Sequence, residues 1–194
     1  KILEEKLTGL NPQLIALSIP FPGNLYGGLK CAQYLGERFS DCAIVLGGGY
    51  VNTELRELCD PRLFDYVDFV CLDDGELPLI QILKVLEGEN GLDNLSRTFL
   101  LNDDREVEYV DACKQQDFSH LETGVPDYTG LDLSNYLSII ELANPMHRLW
   151  NDGRWNKMTL AHGCYWKRCS FCDVTLDYIE RYDEAPAKVL VDRM

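Results

Sequence analysis

Short apolar runs alternate with amphipathic stretches over residues 1–90. Residues 14–19 and 42–46 are nearly all apolar, which is typical of strands buried on both faces of a sheet, and residues 66–72 form a third run. A predicted helix follows each run, over about residues 27–39, from residue 52 or 53 to 58, and over about residues 78–86. The alternation predicts an α/β fold with a doubly wound parallel sheet.

The pattern changes after Gly88. Residues 97–101 and 107–110 flank the polar run Asn102-Asp103-Asp104 and predict a β-hairpin. Residues 111–155 show little periodicity, which indicates a linker. We therefore predict three parts, a partial α/β domain (1–90), a hairpin with a linker (91–155), and the start of a second domain (156–194).

The predicted second domain opens with a short strand over residues 159–161 and ends in a helix that begins at about residue 185. Three parallel strands are fewer than the roughly five of a typical sheet, and the last helix is unfinished. We therefore expect the chain to be a fragment of a longer protein, with sequence missing at either end.

Composition and charge narrow the class of protein. The 194 residues are 46% hydrophobic, enough for a packed core, and carry a formal net charge of −14. An acidic surface disfavours nucleic acid, because binding to phosphates requires cations. No run approaches the roughly 20 apolar residues of a membrane helix, and the first residues do not form a signal peptide. We expect a cytoplasmic protein that binds neither nucleic acid nor membranes.

Three of the eight cysteines lie within nine residues of one another. Cys164, Cys169 and Cys172 have the spacing Cys-x4-Cys-x2-Cys, whereas the other five are scattered. Three thiolates on one loop are suited to bind a [4Fe–4S] cluster, in which three protein ligands leave one iron open. An open metal position indicates chemistry rather than a structural role.

The surroundings of the cysteines allow two interpretations. Residues 147–168 carry five Lys and Arg residues against Asp152 alone, and these cations would offset the negative charge of a cluster. The alternative is a structural zinc site in which His162 or Cys113 is the fourth ligand.

The cysteine segment, Gly163-Cys164-Tyr165-Trp166-Lys167-Arg168-Cys169-Ser170-Phe171-Cys172, resembles the cluster-binding loop of radical S-adenosylmethionine (SAM) enzymes. Their usual spacing is Cys-x3-Cys-x2-Cys, so one extra residue departs from it, while Phe171 matches the aromatic residue before the last cysteine. The resemblance implies that the three cysteines hold a [4Fe–4S] cluster, that Phe171 helps to bind the cofactor, and that the open iron chelates SAM. An electron from a reductase then cleaves SAM to a 5′-deoxyadenosyl radical.

The ends of the predicted strands resemble the cobalamin-binding domain that precedes the radical domain in one class of these enzymes. Ser18 ends the first strand, Gly47 and Gly48 end the second, and Glu76 follows the third in an Asp-Gly-Glu sequence. The resemblance implies that these residues contact cobalamin. Ligands bind open α/β sheets at the carboxyl ends of strands, and glycine permits a close approach.

One cobalamin motif is absent from this sequence. Some cobalamin domains carry Asp-x-His-x-x-Gly, whose histidine binds cobalt. The nearest match, from Asp117 to His120, has the wrong spacing and lies beyond the predicted sheet. We expect either that cobalamin is bound without a histidine ligand or that the motif lies upstream of Lys1.

The resemblance implies an enzyme that transfers a methyl group to an unactivated carbon of a small-molecule or peptide substrate, or that catalyses an oxidative cyclisation. We assign no catalytic residue within this chain and expect the fragment to be inactive alone. One alternative is a non-catalytic α/β binding module with a structural zinc loop. Another is a cobalamin-binding sensor whose cysteine loop holds no cluster.

Overall fold

The computed structural model describes residues 2–7, 9–124, 127, 129–132 and 159–192, and it divides the chain into two units, Lys1–Phe118 and Ser119–Met194. The elements of the first unit are, in order, α1 (Ile2–Leu7), β1 (Leu14–Ser18), α2 (Pro22–Arg38), β2 (Ala43–Gly47), α3 (Gly49–Glu54), β3 (Phe69–Cys71), α4 (Glu76–Leu86), β4 (Thr98–Leu101) and β5 (Val107–Val110). Two 3₁₀ turns lie at Pro61–Asp65 and Leu92–Asn94.

The strands of the first unit form one five-stranded sheet in the order β1-β2-β3-β4-β5. The first three strands are parallel, and Ser18 at the end of β1 pairs with Gly47 at the end of β2. β4 runs antiparallel to β3, and β5 antiparallel to β4. The predicted α/β class is confirmed.

Helices cover both faces of the sheet, which explains the continuous apolar sequence of β2. Ile44 and Leu46 belong to a buried cluster that includes Ala32 and Leu35 of α2. Val45, between them, belongs to a second buried cluster on the opposite face, which includes a side chain of α4, Ile82. Successive residues of a strand point to opposite faces, so a strand covered on both sides has no polar position.

The hairpin is part of the same sheet. We predicted a boundary at residue 90, but β4 pairs with β3, and the first unit extends to Phe118. The physical reason is that β4 is almost fully buried and covers an edge of β3 that would otherwise leave its backbone groups unpaired.

Three helices begin earlier than we predicted, among them α4, which starts at Glu76 rather than near residue 78. α2 starts at Pro22 rather than near residue 27, because Pro22 occupies the first turn, where its missing N–H costs nothing. Gly27 and Gly28 lie inside this helix, and the absent side chain of Gly28 leaves room for Ile19. α3 starts at Gly49 rather than at residue 52 or 53. Among the described residues, no helix combines the length and apolar content needed to cross a membrane.

The second unit contains β6 (Ala161–His162), α5 (Asp177–Glu180), β7 (Asp183–Glu184) and α6 (Ala187–Asp192) among its described residues. β6 and β7 pair antiparallel. The predicted strand at 159–161 and helix from 185 correspond to β6 and α6. The predicted linker lies largely outside the described residues, as does much of the basic segment 147–168.

His120 takes part in the packing of the second unit. Its backbone N–H donates to Asp183 Oδ2 at 2.6 Å, and its ring Nε2 lies 3.2 Å from the Thr159 carbonyl oxygen. The histidine of the near-match to the cobalt-binding motif is buried there.

Gly48 is the position in the first unit where a side chain is least tolerable. Its φ is +102°, and a Cβ would lie 2.8 Å from both Ser18 Oγ and the Ile19 backbone nitrogen. We expect Gly48→Ala to lower the free energy of unfolding by about 2 to 4 kcal/mol, since backbone strain and overpacking add.

The measurement is urea unfolding of the whole chain, with Gly27→Ala as the control. Gly27 is exposed within α2, and a Cβ there would meet nothing within 4 Å. The control is expected to gain up to about 1 kcal/mol. Equal stability of the two variants would contradict the close approach at Gly48.

Candidate functional site

Parallel pairing brings two of the predicted cobalamin contacts together. Ser18 and Gly47 are register partners at the carboxyl ends of β1 and β2. Ser18 is exposed, and Gly47 is half-buried. The nearest atom to a Cβ at Gly47 would be the Cys71 carbonyl oxygen at the end of β3, 3.7 Å away. The three strands thus end at one edge, where open α/β sheets bind ligands.

Small residues line the uncovered part of one sheet face at this edge. Ala16 and Ser18 point to the same face of β1, and both are exposed. Gly47 lies across from Ser18 on that face. We call Ala16, Ser18 and Gly47 the small-residue strip. A flat ligand group is able to approach the backbone here.

Contacts within the chain explain why residue 48 is a glycine. The space for its side chain is filled by Ser18 Oγ and by the backbone of Ile19, whose N–H donates to the Gly47 carbonyl oxygen at 2.8 Å. Gly48 therefore lets the loops after β1 and β2 touch. Its predicted contact with cobalamin stays a prediction.

Glu76 is the exposed first residue of α4, and the loop before it is strongly held. Asp73 has φ +59°, in the left-handed region, and its N–H donates to Asn52 Oδ1 at 2.7 Å. Arg56 donates to both Asp73 carboxylate oxygens, at 2.6 and 3.1 Å. The sequence did not reveal the contacts of Asn52 and Arg56 with Asp73, because they span 17 to 21 residues and no local pattern marks them.

The cysteine loop is anchored at its entrance. It runs from β6 to α5, and the Cys164 N–H donates to the Ile179 carbonyl oxygen at 3.0 Å. Gly163 has φ +76°, and a Cβ there would overlap the Arg181 carbonyl group. Glycine is thus required at the start of the loop, which sequence analysis did not predict.

The donor set fits iron ligation. Cys164, Cys169 and Cys172 are free and half-buried. The Lys167 N–H donates to Cys164 Sγ at 3.5 Å, and this bond, followed by one from the Trp166 backbone, lowers the pKa of the Cys164 thiol. The thiolate is the form that ligates metal, and N–H···S bonds are among the contacts that tune cluster thiolates.

The thiols are not assembled into a closed site. Within the described ranges, no three His, Cys, Asp or Glu side chains come close enough together to hold a metal ion. This applies equally to the zinc alternative with His162 or Cys113. Metal binding requires the three sulfurs to close around the ion.

Aromatic side chains surround the loop on its outside. Phe171 is 90% exposed, so its ring is accessible to a ligand. Tyr165 packs edge-to-face on Tyr182, with ring centroids 6.0 Å apart. The Arg168 guanidinium lies 5.9 Å from the centre of the Trp166 ring.

The lowered pKa of Cys164 predicts that this thiol reacts at a lower pH than an ordinary cysteine thiol. Since the thiolate reacts, the pH midpoint for iodoacetamide alkylation of Cys164 should lie below the ordinary value for a cysteine thiol. The measurement is peptide mass spectrometry of the metal-free, reduced chain across pH. Cys71 is the internal comparison, because burial raises its pKa to about 11. A Cys164 midpoint at or above the ordinary value would contradict the N–H···S bonds.

No family model and no curated protein matches the sequence. Among solved structures, the cobalamin-dependent S-adenosylmethionine radical enzyme OxsB, with aqua-cobalamin and S-adenosylmethionine bound, superposes with a TM-score of 0.67 at 18% identity. The apo form of OxsB superposes with a TM-score of 0.65 at 19% identity. Both alignments cover 98% of this chain and 24% of OxsB.

A second enzyme has a similar fold. The radical S-adenosylmethionine methyltransferase TsrM from Kitasatospora setae, with cobalamin and a [4Fe-4S] cluster bound, superposes with a TM-score of 0.58 at 15% identity. The alignment covers 99% of this chain and 36% of TsrM. The chain thus spans between about a quarter and about a third of these enzymes. It has the fold of one part of the cobalamin-dependent radical SAM enzymes, as the resemblance of its motifs implied.

Proposed function

We propose that this chain is the part of a cobalamin-dependent radical SAM enzyme that binds cobalamin and the iron-sulfur cluster. The observation that carries the proposal is the joint occurrence of two features. The fold aligns over nearly its whole length with enzymes of this kind, and the second unit carries three cysteines on one loop. Neither feature alone distinguishes this function from a general α/β binding module.

The cysteine loop would hold the cluster by three thiolates. Cys164, Cys169 and Cys172 would each bind one iron, and the fourth iron would stay open for SAM. A cluster held by these three residues would supply the electron that cleaves SAM to methionine and a 5′-deoxyadenosyl radical. The backbone N–H of Lys167 would orient the Cys164 sulfur, and the cations of Lys167 and Arg168 would offset the charge of the thiolates and sulfides.

Phe171 would contact the ligand that is bound beside the cluster. Its ring is almost fully exposed at the position before the last cysteine, where a planar group beside the cluster would stack on it.

The electron would come from a separate reductase, and the enzyme would act in the cytoplasm.

Cobalamin would lie at the carboxyl edge of the first unit. The small-residue strip offers a backbone surface without large side chains, on which a flat group of the cofactor would lie. Ser18, an exposed residue with a hydroxyl group, lies there, and Glu76 borders the same edge after β3. Bound cobalamin supplies a carrier for a methyl group.

For the reaction we propose methyl transfer to an unactivated carbon of a small molecule or peptide. Cobalamin at the small-residue strip would supply the methyl group, and SAM at the cysteine loop would supply the 5′-deoxyadenosyl radical that takes the hydrogen atom from the carbon. TsrM is a methyltransferase, which supports this choice. An oxidative cyclisation is the second candidate. The chemistry would belong to the whole enzyme.

The cluster is tested by cysteine variants. After anaerobic reconstitution with iron and sulfide, the wild-type chain should hold about four irons. Cys169→Ala should lose most of them, because two thiolates do not retain a cluster. Cys59→Ala is the matched control, since Cys59 is a free, exposed cysteine outside the loop. Equal iron in the Cys169→Ala variant and in the control would refute the assignment of the loop.

Cobalamin binding is tested by filling the strip. We expect Ser18→Leu to weaken hydroxocobalamin binding about tenfold or more, because a bulky side chain blocks close approach. Ser40→Leu is the control, an exposed serine just before β2, at the opposite edge of the sheet. The measurement is equilibrium dialysis with detection by absorbance. Equal affinity in the two variants would place cobalamin elsewhere.

A further inference from the structure

A buried arginine and a half-buried one hold the loop between β3 and α4. Arg56 binds the Asp73 carboxylate, whose side chain is only 5% exposed. Arg97 Nη2 donates to the carbonyl oxygen of the next residue, Asp74, at 3.1 Å. Two successive residues of one loop are thus fixed by cations from two other segments of the chain.

Arg97 is itself held from several sides. Its guanidinium donates to both carboxylate oxygens of Asp117, at 2.5 and 3.1 Å. Its backbone N–H donates to Asp111 Oδ1 at 3.1 Å, and its carbonyl oxygen accepts from the Leu72 N–H at 2.9 Å. Arg97 therefore joins the end of β3, the start of β4 and the segment that leaves β5.

Stability is a weak reason for burying this ion pair. Arg97 is only 6% exposed and has φ +43°, outside the common regions for a side-chain-bearing residue. Its Nε is buried with no hydrogen-bond partner in the described part of the chain. Well-packed apolar residues often replace a buried ion pair at no loss of stability, whereas the planar fork of arginine fixes two acceptors in defined positions.

The fixed loop borders the proposed cobalamin edge. Asp73, Asp74 and Gly75 lead from the end of β3 directly into Glu76. The Cys71 carbonyl oxygen, two residues before the loop, is the nearest atom to the Cβ position of Gly47 in the small-residue strip. Movement of the Asp74 peptide would therefore shift the loop that borders the proposed cobalamin surface.

We propose that Arg97 is a positioning residue for cobalamin, which acts by fixing the Asp74 carbonyl group and with it the loop from Asp73 to Glu76. The proposal rests on the proposed function of the carboxyl edge. Arg97 does not itself touch the cofactor in this role. The Arg97 side chain fixes the loop from Asp73 to Glu76, and the Asp117 carboxylate fixes the Arg97 side chain.

The test uses Arg97→Lys, which keeps the positive charge but not the fork. A lysine ammonium retains Asp117 or the Asp74 carbonyl oxygen, but not both in the same geometry. We expect hydroxocobalamin to bind about tenfold more weakly or worse, measured at a temperature at which both chains are folded. The control is Arg105→Lys, which alters an exposed pair with Asp65 and should leave the affinity unchanged.

Hydrogen exchange without cobalamin separates this proposal from the proposed function. Arg97→Lys should speed amide exchange in the peptide covering residues 72–77, and Arg105→Lys should not. Unchanged exchange there, or cobalamin affinity within twofold of the wild type, would overturn the role of Arg97. If the wild-type chain binds no cobalamin, the proposed function falls, and the exchange result alone decides whether Arg97 holds the loop.

Discussion

The arrangement of the first unit depends on one constraint, the burial of β2 on both of its faces. Alternate residues of this strand enter two separate apolar clusters, so helices must lie on both sides of the sheet. The parallel crossovers then bring the carboxyl ends of β1, β2 and β3 to one edge. Because Ala16 and Ser18 of the edge strand stay exposed, this edge keeps an open surface of small residues. The candidate cobalamin site is thus a consequence of how the core is covered.

Features encoded in neighbouring residues were predictable from the sequence, and features made by distant residues were not. The apolar runs predicted the strands, and the polar turn at 102–104 predicted the hairpin, because both patterns are local. Pairing of that hairpin with β3 depends on an edge formed elsewhere in the chain. The contacts of Asn52, Arg56 and Arg97 with the loop after β3 span 17 to 23 residues, and a charged residue carries no mark of its partner in sequence.

The two candidate sites differ in how far the chain prepares them. At the sheet edge, hydrogen bonds and close backbone packing fix the strand ends, so the surface exists before a ligand arrives. In the cysteine loop, Gly163 and the Cys164 backbone fix the entrance, while the three sulfurs still have to gather around a metal. Spacing revealed these cysteines because a loop ligand set is local, but spacing does not specify the closed geometry, which the metal itself completes.

Under the proposed function, the cysteine loop holds an iron-sulfur cluster on a chain whose first unit binds cobalamin. The most direct measurement is Mössbauer spectroscopy of the wild-type chain reconstituted anaerobically with ⁵⁷Fe and sulfide, together with zinc analysis of the same sample. We expect the spectrum of a [4Fe–4S] cluster and about four irons per chain, without stoichiometric zinc. One tightly bound zinc per chain and no cluster spectrum would contradict it and would make the loop a structural zinc site.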